Sequence, residues 1–135
     1  MEFKWKKELE TGIEALDEQH RGIFSLANSF IHKCNEVEGK EDIVAILDLL
    51  DDYAKKHFSY EEKLQMYNKY PGMGEQQSQH AQFLENLAEL RTIYMASGLT
   101  RGLTLMTKGR LIRWLAQHIK NHDKEFVDFL KTKDN

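Results

Sequence analysis

The sequence predicts an all-α protein: an up-down-up-down antiparallel four-helix bundle with an N-terminal extended arm. Three observations carry this. The 135 residues hold one Pro, three Val and six Thr, while Glu, Lys, Leu, Gln and Ala are plentiful, so helix is favoured over sheet. Glycines and the single proline cut the chain into four long segments. Each segment carries one apolar stripe at helical spacing, with charges on the opposite face. The length is that of a single domain, 1–135.

The arm, residues 1–16, opens Met-Glu-Phe-Lys-Trp-Lys-Lys-Glu and has no apolar leader segment. Gly12 precedes the first helix, 17–37, whose stripe is Leu16, Ile23, Phe24, Ala27, Ile31 and Cys34, and Gly39 ends it. The second helix, 41–67, turns Ile43, Ile46, Leu47, Leu50, Ala54, Phe58 and Leu64 to one side. Pro71-Gly72-Met73-Gly74 is the hardest break, because the residue before Pro avoids helical backbone. The third helix, 75–96, presents Phe83, Leu84, Leu87, Leu90 and Tyr94, and Ser97-Gly98 stops it. The fourth, 100–131, presents Leu111, Ile112, Leu115, Ile119, Phe126 and Leu130. Short connections make consecutive helices antiparallel neighbours. Gly22 and Gly109 fall inside helices, where each costs about 1 kcal/mol relative to Ala. Close approach of a neighbouring backbone is the expected reason.

Several function classes are excluded. A net charge of −3 leaves no basic footprint for nucleic acid. No apolar run approaches the length of a membrane span, so the expectation is a soluble, cytoplasmic monomer with no membrane partner. The single Cys34 excludes an internal disulfide and a thiolate zinc site, and is expected to be an inert core thiol.

The six histidines are the oddity. His20 lies four residues from both Leu16 and Phe24 and so points inward. His57 shares a face with Leu50 and Leu64, and Glu61 follows it by four residues. His80 precedes Leu84 by four, and His118 follows Leu115 by three. Four interior imidazoles would each need a partner, at about 1–3 kcal/mol per unsatisfied group. A metal satisfies them together. Imidazole and carboxylate without thiolate suit iron, zinc, copper or manganese, and a carboxylate shared by two ions would account for Glu61. In the fourth helix, spacing alone selects His122 as the neighbour of His118, since Asp123 falls about 140° away on an ideal helix. His32 is expected at the surface.

The order His20, His57-Phe-Ser-Tyr-Glu61-Glu62, His80, His118 and Asp123 resembles the hemerythrins, and the bacterial single-domain members most closely. Phe3-Lys-Trp5, Gly12-Ile13, Asp17-Glu-Gln-His20, Met66, Tyr70-Pro71 and Trp114-Leu-Ala-Gln-His118-Ile119 extend the resemblance over nearly the whole chain. It implies two iron ions joined by an oxo or hydroxo bridge. His20 and His57 would hold one, with a position open for O2. His80 and His118 would hold the other, and Glu61 and Asp123 would bridge them. The resemblance thus selects Asp123 over His122, which requires a tilted or distorted fourth helix. The surrounding wall would be Ile23, Phe24, Phe58, Trp114, Leu115 and Ile119.

One departure stands out. The family's third helix carries H-x3-H, and here the stretch reads Gln76-Gln77-Ser78-Gln79-His80. Gln76 as a weak amide ligand, a water, or a swung-in Glu75 would take the missing place. The function implied is O2 binding for carriage, storage or sensing. The alternative is peroxidase- or oxidase-like reaction with peroxide, or altered metal occupancy, at an open position beside Gln76. Weaker metal retention than in a five-histidine relative is expected. No protein partner is legible.

Overall fold

Asp17 sets where the bundle begins. Its carboxylate accepts hydrogen bonds from the Thr11 N–H at 2.8 Å, the Thr11 hydroxyl at 2.8 Å and the Gly12 N–H at 3.1 Å. Gly12 makes this loop with a φ of +92°, a backbone region that glycine enters without a Cβ penalty. The result is that helix α1 spans Glu14–Cys34, starting three residues before the expected position. The arm is likewise not fully extended: Lys7–Leu9 form a 3-10 turn and Leu9 is buried. Trp5 packs edge-on against Phe24, with ring centres 5.4 Å apart.

The structure is a computed structural model that describes residues 5–34, 40–98 and 100–133. Gly39 and the side chains of Ile31, Cys34 and Ile43 lie outside the described residues. Helix α2 is Lys40–Tyr67 and α3 is Met73–Ser97. Between them the Tyr70 N–H bonds back to the Gln65 carbonyl at 2.9 Å. Gly98 ends α3 with a φ of 70°, its N–H bonded to the Tyr94 carbonyl.

The fourth limb is continuously helical but changes pitch twice. It runs α4 (Arg101–Thr107), π1 (Lys108–Arg113), α5 (Trp114–His118), π2 (Ile119–Asp123) and α6 (Lys124–Lys133), where π1 and π2 are π-helical turns. Helix α1 packs on α2, α2 on α3, α3 on the fourth limb, and the fourth limb back on α1. This closes the expected all-α four-helix bundle. Among the described residues there is no strand, and no helix is long and apolar enough to cross a membrane.

The stripes meet at the axis: Ile23, Leu47, Leu50, Ala54, Leu90 and Ile112 have no exposed surface. Phe30 and Leu103 were absent from the expected stripes and are core residues. Ile46, Leu64, Leu84 and Leu130 are only half-buried, because each sits at the edge of its stripe. The two mid-helix glycines differ from expectation. A Cβ at Gly22 would lie 2.2 Å from the Tyr53 hydroxyl oxygen, so a phenol from α2, not a backbone, occupies the space. A Cβ at Gly109 would meet nothing within 4 Å, and nothing in the packing explains that glycine.

Candidate metal centre

All four limbs deliver imidazole to one level of the bundle. α1 supplies His20, α2 His57 and Glu61, α3 His80, and the fourth limb His118 and Asp123. All six side chains are buried. In a regular helix Asp123 would face away from His118 by about 140°. The π2 turn removes that offset. The Lys124 N–H reaches the Ile119 carbonyl, five residues back, and the widened turn carries Asp123 to the His118 face. His122, which plain periodicity favours, is half-buried at the edge, with its ring 5.4 Å from that of His118.

The ring Nε2 atoms converge on the two carboxylates. His57 Nε2 lies 3.2 Å from Glu61 Oε2, and His80 Nε2 lies 3.2 Å from Glu61 Oε1. His20 Nε2 lies 3.0 Å from Asp123 Oδ2, and His118 Nε2 lies 3.1 Å from Asp123 Oδ1. Two groups of four result: His20, His57, Glu61 and Asp123, and Glu61, His80, His118 and Asp123. Within each, one donor atom per residue lies within 4.8 Å of the others. Both groups contain Glu61 and Asp123, so the arrangement is two adjacent donor groups, each able to hold a cation, with a common pair of carboxylates.

Charge in this pocket is poorly matched by protein alone. Burial works against a charged His20, yet the carboxylates of Asp123 and Glu61 beside its Nε2 outweigh burial and push its pKa up to about 9. Burial, helped by the charge on His20, lowers that of His57 despite Glu61. His80 is raised: burial opposes its charge, but Glu61 and Glu62 win. Glu61 is held well below the usual carboxylate range, against burial, by His20, His57 and His80. Asp123 is lowered against both burial and Glu61 by His118 and His20. Even so, both ring nitrogens of His20 and of His118 lack an aligned hydrogen-bond partner, as do Glu61 Oε2 and Asp123 Oδ2. Four of these atoms, His20 Nε2, His118 Nε2, Glu61 Oε2 and Asp123 Oδ2, belong to the converging donor set, and buried imidazole and carboxylate donors of this kind fit first-row metal ions, iron among them.

Outer contacts orient two of the rings. His57 Nδ1 is 2.6 Å from Gln19 Oε1, and His80 Nδ1 is 2.7 Å from Glu62 Oε2. Sequence reasoning found neither partner. Gln19 precedes His20 and Glu62 follows Glu61, so only their adjacency to site residues marks them. Of the residues named for the wall, Ile23, Phe24, Phe58, Leu115 and Ile119 are all buried. Phe58 stacks on His80 at 4.0 Å, and the half-buried Trp114 stacks on His118 at 4.9 Å.

Gln76 lies one turn before His80, buried and turned toward the fourth limb. Its Nε2 donates to the His122 carbonyl at 3.0 Å and to Asp123 Oδ1 at 3.1 Å, while its Oε1 has no partner. Glu75 is exposed and does not enter the centre. His32 is exposed, as its position at the end of α1 suggested.

A family model described as the hemerythrin HHE cation binding domain matches residues 11–130. The chain is 34% identical to a bacteriohemerythrin of Pseudomonas aeruginosa over 129 residues, covering 94% of this chain and 80% of the relative. It is 28% identical to a bacteriohemerythrin of Clostridium acetobutylicum, covering 93% and 99% of the two chains. A myohemerythrin of Sipunculus nudus is 27% identical, with 92% and 90% covered.

Proposed function

The chain belongs to the hemerythrin family, and from that premise we propose that it is a non-haem di-iron protein that binds O2 for carriage, storage or sensing. One observation carries the proposal: the two four-residue groups have Glu61 and Asp123 in common. In this reading His20 and His57 would hold one iron, His80 and His118 would hold the other, and Glu61 and Asp123 would serve both. Residues 1–135 act as one domain.

Two ferrous ions held together at these residues would supply the two electrons that O2 takes up on binding. The protein's own residues set the conditions. An acceptor at Nδ1 keeps the ring proton there in His57 and His80, leaving Nε2 free to face the centre. The π2 turn and the Gln76 amide fix the Asp123 carboxylate. Ile23, Phe24, Phe58, Leu115 and Ile119 keep bulk water away from the bound group.

A second reading follows from Gln76. Its Nε2 is engaged and its Oε1 is a weak neutral donor, so the side of His80 and His118 has only two imidazoles. Labile metal there, or reaction with peroxide, is the corresponding outcome.

The test is anaerobic loading with ferrous iron, then air. O2 binding gives two irons per chain and a visible charge-transfer band that disappears on removing O2 and returns with it. A band that appears once and decays while an added reductant is consumed supports the peroxidase- or oxidase-like reading. One iron per chain, with the second lost to buffer, supports the labile-metal form of the second reading, and no iron with no band overturns both readings.

A further inference from the structure

Gln65 and Gln76 share the level of the bundle next to the metal centre. Helices α2 and α3 are antiparallel neighbours, and Glu61 of α2 meets His80 of α3 with Oε1 and Nε2 3.2 Å apart. Gln65 lies four residues on from Glu61, and Gln76 lies four residues back from His80. Both steps run toward the turn between the helices, by about 6 Å. The two amides therefore lie at the same level across the α2–α3 interface.

Both side chains are fully shielded, at 0% and 1% exposure. Neither amide atom of Gln65 has a hydrogen-bond partner, and Gln76 Oε1 has none. Only Gln76 Nε2 is used, on the His122 carbonyl and Asp123 Oδ1. Leu or Met at position 65 would fill this part of the core without buried polar groups. Two buried glutamines at one level of the α2–α3 interface, with three idle amide atoms, offer both donor and acceptor capacity of the kind that holds a water.

We propose that Gln65 and Gln76 form a binding site for a water molecule, exchangeable for another small protic ligand, beside the ion assigned to His80 and His118. The water accepts a hydrogen bond from Gln65 Nε2 and donates one to Gln76 Oε1. It stands on the side where Gln76 replaces an imidazole. The site is separate in composition from the apolar wall lined by Ile23 and Phe58, which offers no hydrogen bonds. This inference rests on the di-metal reading above.

The experiment is water-proton relaxation by the manganese(II)-loaded protein, with metal content measured on the same samples. Compared are the native chain, Gln65→Leu, Gln65→Met and Gln76→His. Two manganese ions per chain in all four, with relaxivity at least twofold lower in every variant, is the expected result. Two ions per chain with the same relaxivity in all four overturns this inference and leaves the di-metal reading standing. Failure of the native chain to hold two ions overturns both. Gln65→Met, close to Gln in length, guards against a folding defect in Gln65→Leu.

Discussion

Asp123 follows His118 by five residues, yet its Oδ1 lies 3.1 Å from His118 Nε2. The π2 turn accounts for this, because it inserts one residue into the helical repeat between them. The same turn leaves the His122 carbonyl available to the Gln76 amide. A local departure from α geometry thus brings the Asp123 carboxylate to the His118 face and gives it a support.

The first prediction contrasts the two neighbours. His122→Ala keeps the backbone carbonyl and should leave two metal ions per chain, with affinity changed by less than about threefold. Asp123→Asn removes the charge that faces both His20 and His118. Loss of an outer-shell partner alone costs about 10–100-fold in metal affinity, so loss of a direct donor should cost about a hundredfold or more. Metal titration of both variants decides it. Equal losses would mean that His122 is a donor.

The bundle was legible because four apolar stripes and three glycine breaks each repeat a simple rule. The helix ends were less so: the Asp17 carboxylate reaches back six residues to Thr11, a contact with no local periodic signal. Four of the imidazoles and Glu61 were legible as polar residues interrupting apolar stripes. Asp123 was not, since a wheel of 3.6 residues per turn cannot register a π turn. Gln19, Glu62 and Gln65 were also invisible, because a polar residue beside a ligand looks like any residue at a stripe edge.

Stability of the metal-free protein should fall as pH rises from about 6.5 to 9. The folded pKa of His20 is about 9, above its ordinary value of 6.5, so its protonated form stabilises the fold fully below 6.5. That contribution disappears as pH passes 9 and amounts to about 3 kcal/mol for a shift of this size. On the acid side the signs reverse. His57 is lowered and favours the unfolded chain below about 6.5. Glu61 and Asp123 are lowered, so their contributions are lost as pH falls through their folded values. The maximum therefore falls near pH 6.5. Urea unfolding across the range checks it, and a flat profile between 6.5 and 9 would count against the His20 pairing. Metal binding near neutrality should also release a proton from His20, so affinity should rise toward pH 9.

Gln76→His should tighten metal retention. It replaces a neutral amide with an imidazole one turn from His80, at the cost of the bonds to the His122 carbonyl and Asp123 Oδ1. The half-time of metal loss to excess chelator should lengthen by about tenfold or more, since the nitrogen donor gained outweighs one hydrogen bond to a carbonyl, about 1 kcal/mol, and one to a carboxylate, about 1.5–3 kcal/mol. An unchanged half-time would show that the place beside Gln76 is not a metal position.

The two oriented rings should respond differently to loss of their partners. Glu62 sets a carboxylate 2.7 Å from His80 Nδ1, whereas Gln19 sets a neutral amide oxygen 2.6 Å from His57 Nδ1. A carboxylate makes the imidazole a stronger donor at Nε2 than an amide does. Glu62→Gln keeps an acceptor of the same shape and removes only the charge. It should weaken metal binding by about tenfold and lower the His80 pKa, which Glu62 helps to raise. Gln19→Glu should act in the opposite sense on His57, raising its pKa and strengthening it as a donor. Proton NMR titration of the metal-free variants reads the pKa changes, and metal titration reads the affinity. If Glu62→Gln moved neither, the contact between Glu62 and His80 would be packing rather than orientation.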